Sequence, residues 1–473
     1  MLEKNQKNVN YFASTRDISS VYKFLASASQ KNIEKKLNIK TEILIIKKRF
    51  PSIKFLFFFM YSIFSGKLFS NERYILLEYR GHNLGRFAYA TTSVNIESFY
   101  KVLKSLILKL KYLFLAGAVI DTAYYYSRKI CGAYVDHGVY LNGLYIDVFL
   151  KNDIRIYSNN YPKGLFTAKL KKRSKINFSY EKLIQIKYKK MNFLQETKVR
   201  KIIKKTLADP DFIPWMKMVK FKKQKKIIDY NKFDYIIYAH AFTDAQLVFG
   251  YDGYANMCDW LIETINILKK LKKSVIIKPH PNFYDYLLLN LDKKSKEKNI
   301  SYKDHQMYLK IKNMYDDSTI HFLDEPYFNI EFLNKLNKKK HIIITHHSSA
   351  ILECCYMGFK CISSKSTFWD KKIKLTNSFS NRIQNEKVLN KKFKYLKYSK
   401  NIDVLNIFNE IYFNKYGPYG DSNFIRLLRK ILGIKELSRF GYNKELNTQI
   451  KKSKIKTLKT IDSISQNIEE IIL

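Results

Sequence analysis

From Phe233 onward, short runs of apolar and β-branched residues alternate with longer stretches of helical periodicity. FDYIIYAH (Phe233–His240), SVIIKPH (Ser274–His280), STIHFLD (Ser318–Asp324) and His341–Thr345 read as strands. Asp259–Lys270, Phe283–Leu291, Asn329–Leu336 and the stretch from Ser348-Ser349 to Gly358 read as helices, and Lys360–Ser363 as a short closing strand. Unbroken apolar strands such as Ile342–Thr345 suit a sheet covered on both faces, and repeated strand–helix units of this length predict a parallel, doubly wound sheet with right-handed crossovers. Ser348 or Ser349 is a suitable N-cap and Gly358 a suitable helix stop.

The first half is less regular. After a polar, basic lead-in, EILIIKK and RYILLEYR (Arg73–Arg80) read as strands around the greasy run Phe55–Phe64. Next come a loop with Gly81, His82, Asn83, Gly85 and Arg86, then a long amphipathic helix over Ile96–Leu115. The loop reads either as a turn or as a small phosphate- or sugar-binding element. Tyr134–Val135 closes a strand, Asp136-His137-Gly138 turns, Leu144–Leu150 is a helix and Ile154–Tyr157 a strand. The predicted organisation is a lead-in over 1–40, a first α/β domain over 41–225, a second over 226–375, and a helical segment over 376–473.

Composition sharpens this picture. An apolar share of 46% in 473 residues supports full cores. The formal charge of +45 invites a nucleic-acid partner, but only 13 of the 86 basic residues are Arg, and none lies between Arg200 and Arg382. Base and phosphate readout leans on the arginine fork, so nucleic acid is set aside. The charge fits either a compositional bias or attraction to an anionic membrane face. Five cysteines without C-x-x-C spacing fit a reducing cytoplasm, not a disulfide framework or a structural zinc site. Phe55–Phe64 is too short to span a bilayer and reads as a core strand or helix, with insertion into a membrane surface as the alternative, and MLEKNQKNVNYF has no signal-peptide apolar core. The expected place is the cytoplasm, at the inner face of the membrane.

Two strand ends carry the chemistry. Lys278-Pro279-His280-Pro281 braces a histidine between two of the chain's eight prolines. Thr345-His346-His347-Ser348-Ser349 passes from a strand into a helix whose first turn offers hydroxyls and unpaired N–H groups. Both corners belong to the same edge of a parallel sheet. This pair of motifs, over Phe233–Ser364, resembles the nucleotide-binding half of GT-B glycosyltransferases that build bacterial surface polysaccharides, including users of CMP-sugars with paired HP and SS motifs.

The resemblance implies a GT-B-like α/β fold: two Rossmann-type domains facing a cleft, with C-terminal helices crossing back. It also implies a nucleotide-sugar co-substrate, CMP-linked sugars favoured, a glycan or lipid-linked acceptor, and neither a metal nor another cofactor. Lys278, His280, Pro281, His347, Ser348 and Ser349 would then hold the donor's phosphate, and Glu353 a ribose hydroxyl. For the acceptor's base, Asp244 is first choice, with Asp136 or His137 across the cleft. His346 and His347, as neighbours on a strand end, should point apart. Two alternatives share these corners: a CDP-polyol phosphotransferase, and a non-catalytic nucleotide-sugar- or glycan-binding component of an assembly complex.

Overall fold

The computed structural model describes residues 11–12, 43–44, 49–93, 102–130, 132–134, 140–159, 165–168, 191–208, 228–243, 247, 250–288, 292–325, 327–348, 350–365 and 374–409. Its strands are β1 (Tyr11–Phe12), β2 (Ile43–Leu44), β3 (Gly132–Tyr134), β4 (Arg155–Asn159), β5 (Leu165–Ala168), β6 (Tyr235–Tyr238), β7 (Val275–Lys278), β8 (Ile320–Phe322), β9 (Ile342–Ile344), β10 (Lys360–Ser364) and β11 (Asn377–Phe379). The helices used below are α1 (Ile53–Phe64), α2 (Asn71–Ile75), α3 (Leu84–Ser93), α4 (Val102–Ser127), α5 (Asn142–Lys151), α6 (Phe193–Ala208), α7 (Met257–Lys270), α8 (Lys293–Lys298), α9 (Ile300–Tyr315), α10 (Asn329–Asn334), α11 (Ala350–Tyr356), α12 (Arg382–Leu389) and α13 (Asn401–Phe408).

The protein is α/β, built on a six-stranded sheet ordered β11-β10-β9-β6-β7-β8 in which every pairing is parallel. Numbered from its own first strand, that order is 3-2-1-4-5-6, the doubly wound arrangement in which strand order reverses between the first and fourth strands. Here the reversal falls between β6 and β9. Their residues alternate between two cores, as a pleated strand covered on both faces requires. Ile236, Tyr238, Ile276 and Ile343 face one core with α6, α10, α11 and α13. Tyr235, Ile237, Val275, Ile277, Ile342 and Ile344 face the other with α7, α9 and α12. The sheet continues past residue 375 as β11, and α6 packs into it from the chain's first half.

The first half centres on α3, whose ten residues are all buried. Here the expected strand over Arg73–Arg80 is overturned. Asn71–Ile75 is a helix capped by Ser70, and Tyr79 pairs only with His82 in an isolated bridge. The reason lies next door: Gly85 sits so close to the end of α2 that a Cβ there would lie 1.9 Å from the Tyr74 carbonyl oxygen. The glycine therefore permits a helix-to-helix approach. The loop is not a ligand-binding turn either. His82 is fully buried, with Nδ1 2.6 Å from Asp147 Oδ2 and Nε2 2.9 Å from the Tyr124 hydroxyl. Phe283–Leu291, read as an α-helix, is a 3-10 helix over Pro281–Leu288. The long helix expected over Ile96–Leu115 runs over Val102–Ser127.

The small sheet β3-β4-β5 pairs parallel and then antiparallel. Leu247 and Ala255, from the loop after β6, enter the first half's core, so this loop joins the two cores.

Candidate functional site

The carboxyl ends of β6, β7, β9 and β10 lie side by side, and four of the nine histidines collect there. His240 follows β6, His280 follows β7, and His346 and His347 follow β9. The His240 ring centroid is 5.6 Å from that of His280 and 4.4 Å from that of His347. The two predicted corners are thus brought together, with His240 between them at the reversal point. Ligands of open α/β sheets bind in the crevice at this point.

The chain fixes several of these rings. The Asn282 backbone N–H donates to His280 Nδ1 at 3.2 Å as the chain enters the 3-10 turn at Pro281. Nδ1 is therefore the acceptor, and Nε2 carries the proton of the neutral ring. His240 is turned the other way, its Nδ1 3.0 Å from the Ala241 carbonyl oxygen and so the donor. In its neutral form His240 Nε2 is an acceptor. A donor nitrogen and an acceptor nitrogen thus lie on adjacent rings.

The two consecutive histidines do not diverge, contrary to the alternation argument. β9 ends at Ile344, and the bend that follows brings His346 Nδ1 within 2.6 Å of His347 Nδ1. His346 Nε2 is 2.9 Å from Asp252 Oδ2, and the Ser364 hydroxyl also donates to that oxygen. The His346–Asp252 contact is close enough for an ion pair, although its alignment is not that of a good hydrogen bond. Asp252 is buried, yet its carboxyl is held below the usual range: the cost of burial is outweighed by electrostatic contact with His346, the Ser364 hydroxyl and the Tyr254 backbone N–H. Gly253 makes this turn at a φ of 93°, a conformation L side chains rarely adopt, and the Arg382 guanidinium donates to its carbonyl at 2.6 Å. His347 lies well below the usual imidazole range, because of burial first and then its neighbours His240 and His346.

With Asp252 ionised, His346 Nε2 faces its carboxylate as an electrostatic contact, and with both rings neutral the order is carboxylate, imidazole, imidazole. One added proton reverses the polarity of the far end, turning His347 from acceptor to donor. Such a chain can take up positive charge at the sheet edge and spread it toward a buried carboxylate. Among the described residues, no group of three His, Cys, Asp or Glu side chains is placed to hold a metal ion.

Ser348 caps α11: its hydroxyl accepts from the Ala350 N–H at 3.3 Å, as the sequence pattern predicted. Pro281 opens the 3-10 helix beside His280. Lys278 and Glu353 sit elsewhere. Lys278 is buried on the opposite face, its Nζ 5.0 Å from the Tyr238 ring centre and 5.9 Å from that of Phe332. Glu353 accepts from Asn329 Nδ2 at 2.5 Å, and Asn329 Oδ1 in turn accepts from the Tyr238 hydroxyl at 2.5 Å. Burial pushes the Lys278 ammonium down to about 8 despite the attraction of Glu353, and pushes the Glu353 carboxyl up despite Asn329 and Lys278. The geometry makes them members of one enclosed polar cluster below the edge, rather than a phosphate clamp and a ribose acceptor.

Asp136, His137, Asp244 and Ser349 lie outside the described residues. Their described neighbours do meet: the Tyr140 hydroxyl donates to the Thr243 carbonyl at 3.4 Å, and Thr243 Oγ1 donates to Asp304 at 2.9 Å. Tyr140, just before α5, and Thr243, after β6, are therefore tied together. His240 closes the strand expected over Phe233–His240, and neither it nor Asp252 carries a role in the sequence reading. The signal was the strand order: the first strand of a doubly wound sheet ends at the reversal point, so His240 is placed there by topology.

No family model matches the chain, and no curated protein matches its sequence. Among solved structures, the chain is similar to a UDP-GlcNAc 2-epimerase from Methanocaldococcus jannaschii, in complex with UDP-GlcNAc and UDP. Identity is 13%, over 85% of this chain and 98% of that one, with a TM-score of 0.26. A likeness of that degree carries no argument about this chain, whose α/β class rests on its own parallel sheet.

Proposed function

We propose that the protein is a glycosyltransferase that holds a nucleotide-activated sugar at the reversal point between β6 and β9 and transfers the sugar to a glycan or lipid-linked acceptor. The observation that carries this reading is the convergence of the proline-braced His280 and the His347–Ser348 corner on His240, at the crevice where such sheets take phosphorylated ligands. The motif resemblance supports the nucleotide-sugar, and CMP-linked sugars as its leading class.

The chemistry follows from charge. As the bond from the anomeric carbon to the phosphate oxygen breaks, negative charge builds on the leaving nucleotide. His280 Nε2–H and the donors of the Ser348-Ser349 corner stabilise it without reorganising. The His346–His347 pair, backed by Asp252, takes up a proton as that charge develops. Asp244, next to the anchored Thr243, removes the proton of the acceptor hydroxyl in a single displacement, and Asp136 or His137 stands in reserve from the segment anchored at Tyr140.

The test is a thermal-shift panel of CMP, CDP, UMP, UDP and GDP with His280→Ala and Ser349→Ala controls. A ligand at about 100 times its Kd adds roughly 2.7 kcal/mol to the native state. A cytidine nucleotide should raise Tm in the parent, and neither variant should respond. No shift with any nucleotide contradicts the proposal. Turnover that leaves phosphorus in the product identifies a polyol-phosphate transfer instead, and binding without turnover a non-catalytic component.

A further inference from the structure

Helix α1 is apolar on both its buried and its exposed faces. Phe55 and Ser62 face the first half's core, with Phe58 and Phe59 partly buried against it. The opposite face carries Ile53, Phe57, Met60, Tyr61 and Phe64, at the i, i+4, i+7, i+8, i+11 spacing of a single helical stripe. These are open to solvent: Phe57 is 71% exposed and Phe64 80%. Phe50 and Phe69, at 74% and 72%, continue the apolar surface before and after the helix. A soluble face would carry charge here, and an apolar patch of this kind marks an interaction surface.

Charge identifies the occupant. From Arg49 to Ser70 the only ionisable side chains with full charges are Arg49, Lys54 and Lys67, all basic, and the stretch has no Asp or Glu. The Lys67 ammonium lies over the Tyr61 ring, 4.8 Å from its centre, so cation and aromatic edge are presented together. A second copy docked face to face would bring cations against cations. An anionic bilayer instead offers counter-charges at the head groups and hydrocarbon beneath them, at the depths where basic and aromatic side chains partition. At twelve residues α1 is about 18 Å long, well short of the roughly 30 Å hydrocarbon layer, so it lies along the surface. No described helix is long and apolar enough to cross a membrane.

We infer that the exposed stripe of α1, with Phe50 and Phe69, is a membrane-insertion surface that seats the protein on an anionic lipid bilayer with Phe57 and Phe64 in the acyl region. This inference is independent of the nucleotide reading, and its test uses no nucleotide.

The test uses the full chain with phosphatidylcholine vesicles containing phosphatidylglycerol, at salt high enough to screen the bulk of the +45 charge. Phe57→Ser/Phe64→Ser should weaken sedimentation with vesicles by on the order of tenfold or more, with Tm unchanged because both residues are exposed. Phe57→Trp should gain an emission component quenched by lipids brominated along the acyl chain, whereas Ile383→Trp on α12 should not. Equal sedimentation of parent and double-serine variant overturns the proposal, as does Phe57→Trp emission indifferent to brominated lipid. Vesicle binding that is unaffected while a parent dimer dissociates on the double-serine change assigns the stripe to self-association and likewise overturns it.

Discussion

His346 and His347, consecutive in the chain, hold their Nδ1 atoms 2.6 Å apart, and the first of the two rests on a buried carboxylate. Two imidazoles in that relation already share one proton between their Nδ1 atoms, so a further proton goes to the far nitrogen of His347, and an anion at the sheet edge supplies the reason to take it up. Nucleotide binding is therefore expected to take up a proton. Affinity should rise as pH falls toward and below the ordinary imidazole value of about 6.5, because ligand charge raises a His347 pKa that burial and its neighbours had lowered. Titration calorimetry in buffers of different ionisation enthalpy reads the uptake directly. Asp252→Asn should abolish most of it while leaving binding measurable.

The same lowered His347 pKa has a consequence for the free protein. A histidine depressed in the folded state is protonated more readily when unfolded. Its contribution is intact above the unfolded pKa of about 6.5 and is lost as pH falls below it, by at most about 1.4 kcal/mol per pH unit. Chemical denaturation between pH 7 and 5 should therefore show a decline that His347→Gln flattens. A variant as steep as the parent would show that His347 is not held neutral.

Lys278 provides a second linkage, at the alkaline end. Its folded value of about 8 lies below the usual 10.5, so its contribution is present above 10.5 and lost as pH falls toward 8. That loss is on the order of 3 kcal/mol. Lys278→Met should remove this dependence and leave nucleotide affinity within about twofold, since the ammonium lies in the cluster with Glu353 below the edge. A tenfold loss of affinity would return Lys278 to the phosphate. Equal alkaline profiles would remove it from the cluster.

In the first half, Gly85→Ala places a methyl group against the Tyr74 carbonyl and should cost about 3 kcal/mol. His82→Ala removes the ring 2.6 Å from the buried Asp147 carboxylate, beside Lys151 at 3.5 Å, and should cost a similar amount. Denaturant midpoints check both. Unchanged midpoints would mean that this loop is free to serve a ligand, as its glycines first suggested.

These contrasts show what the sequence could and could not disclose. The parallel sheet was legible because β6, β7 and β9 carry uninterrupted Ile and Val runs, covered on both faces, with helices of ordinary length between the strands. β11, Asn377–Phe379, has no such run and fell in the segment expected to be helical. The two corners were legible because Pro279-His280-Pro281 and His347-Ser348-Ser349 stand at strand ends. Lys278 was misjudged because strand alternation places it on the α10–α11 face, which only the register of β7 against β6 and β8 reveals. His346 and His347 were misjudged because alternation stops at Ile344, one residue before the bend. Arg73–Arg80 looked like a strand because Tyr, Ile and Leu serve a buried helix end equally well. The α1 stripe was hidden because an all-apolar run gives no hint of which side the core takes.

The central claim is that a nucleotide occupies the crevice between the carboxyl ends of β6 and β9. Hydrogen–deuterium exchange with a saturating cytidine nucleotide tests it most directly. The account predicts slowed exchange at Ala239–Thr243, His280–Phe283 and Thr345–Ile351, with α1 and the β3-β4-β5 sheet unaffected. Protection confined to other segments, with those three unchanged at saturation, would contradict it.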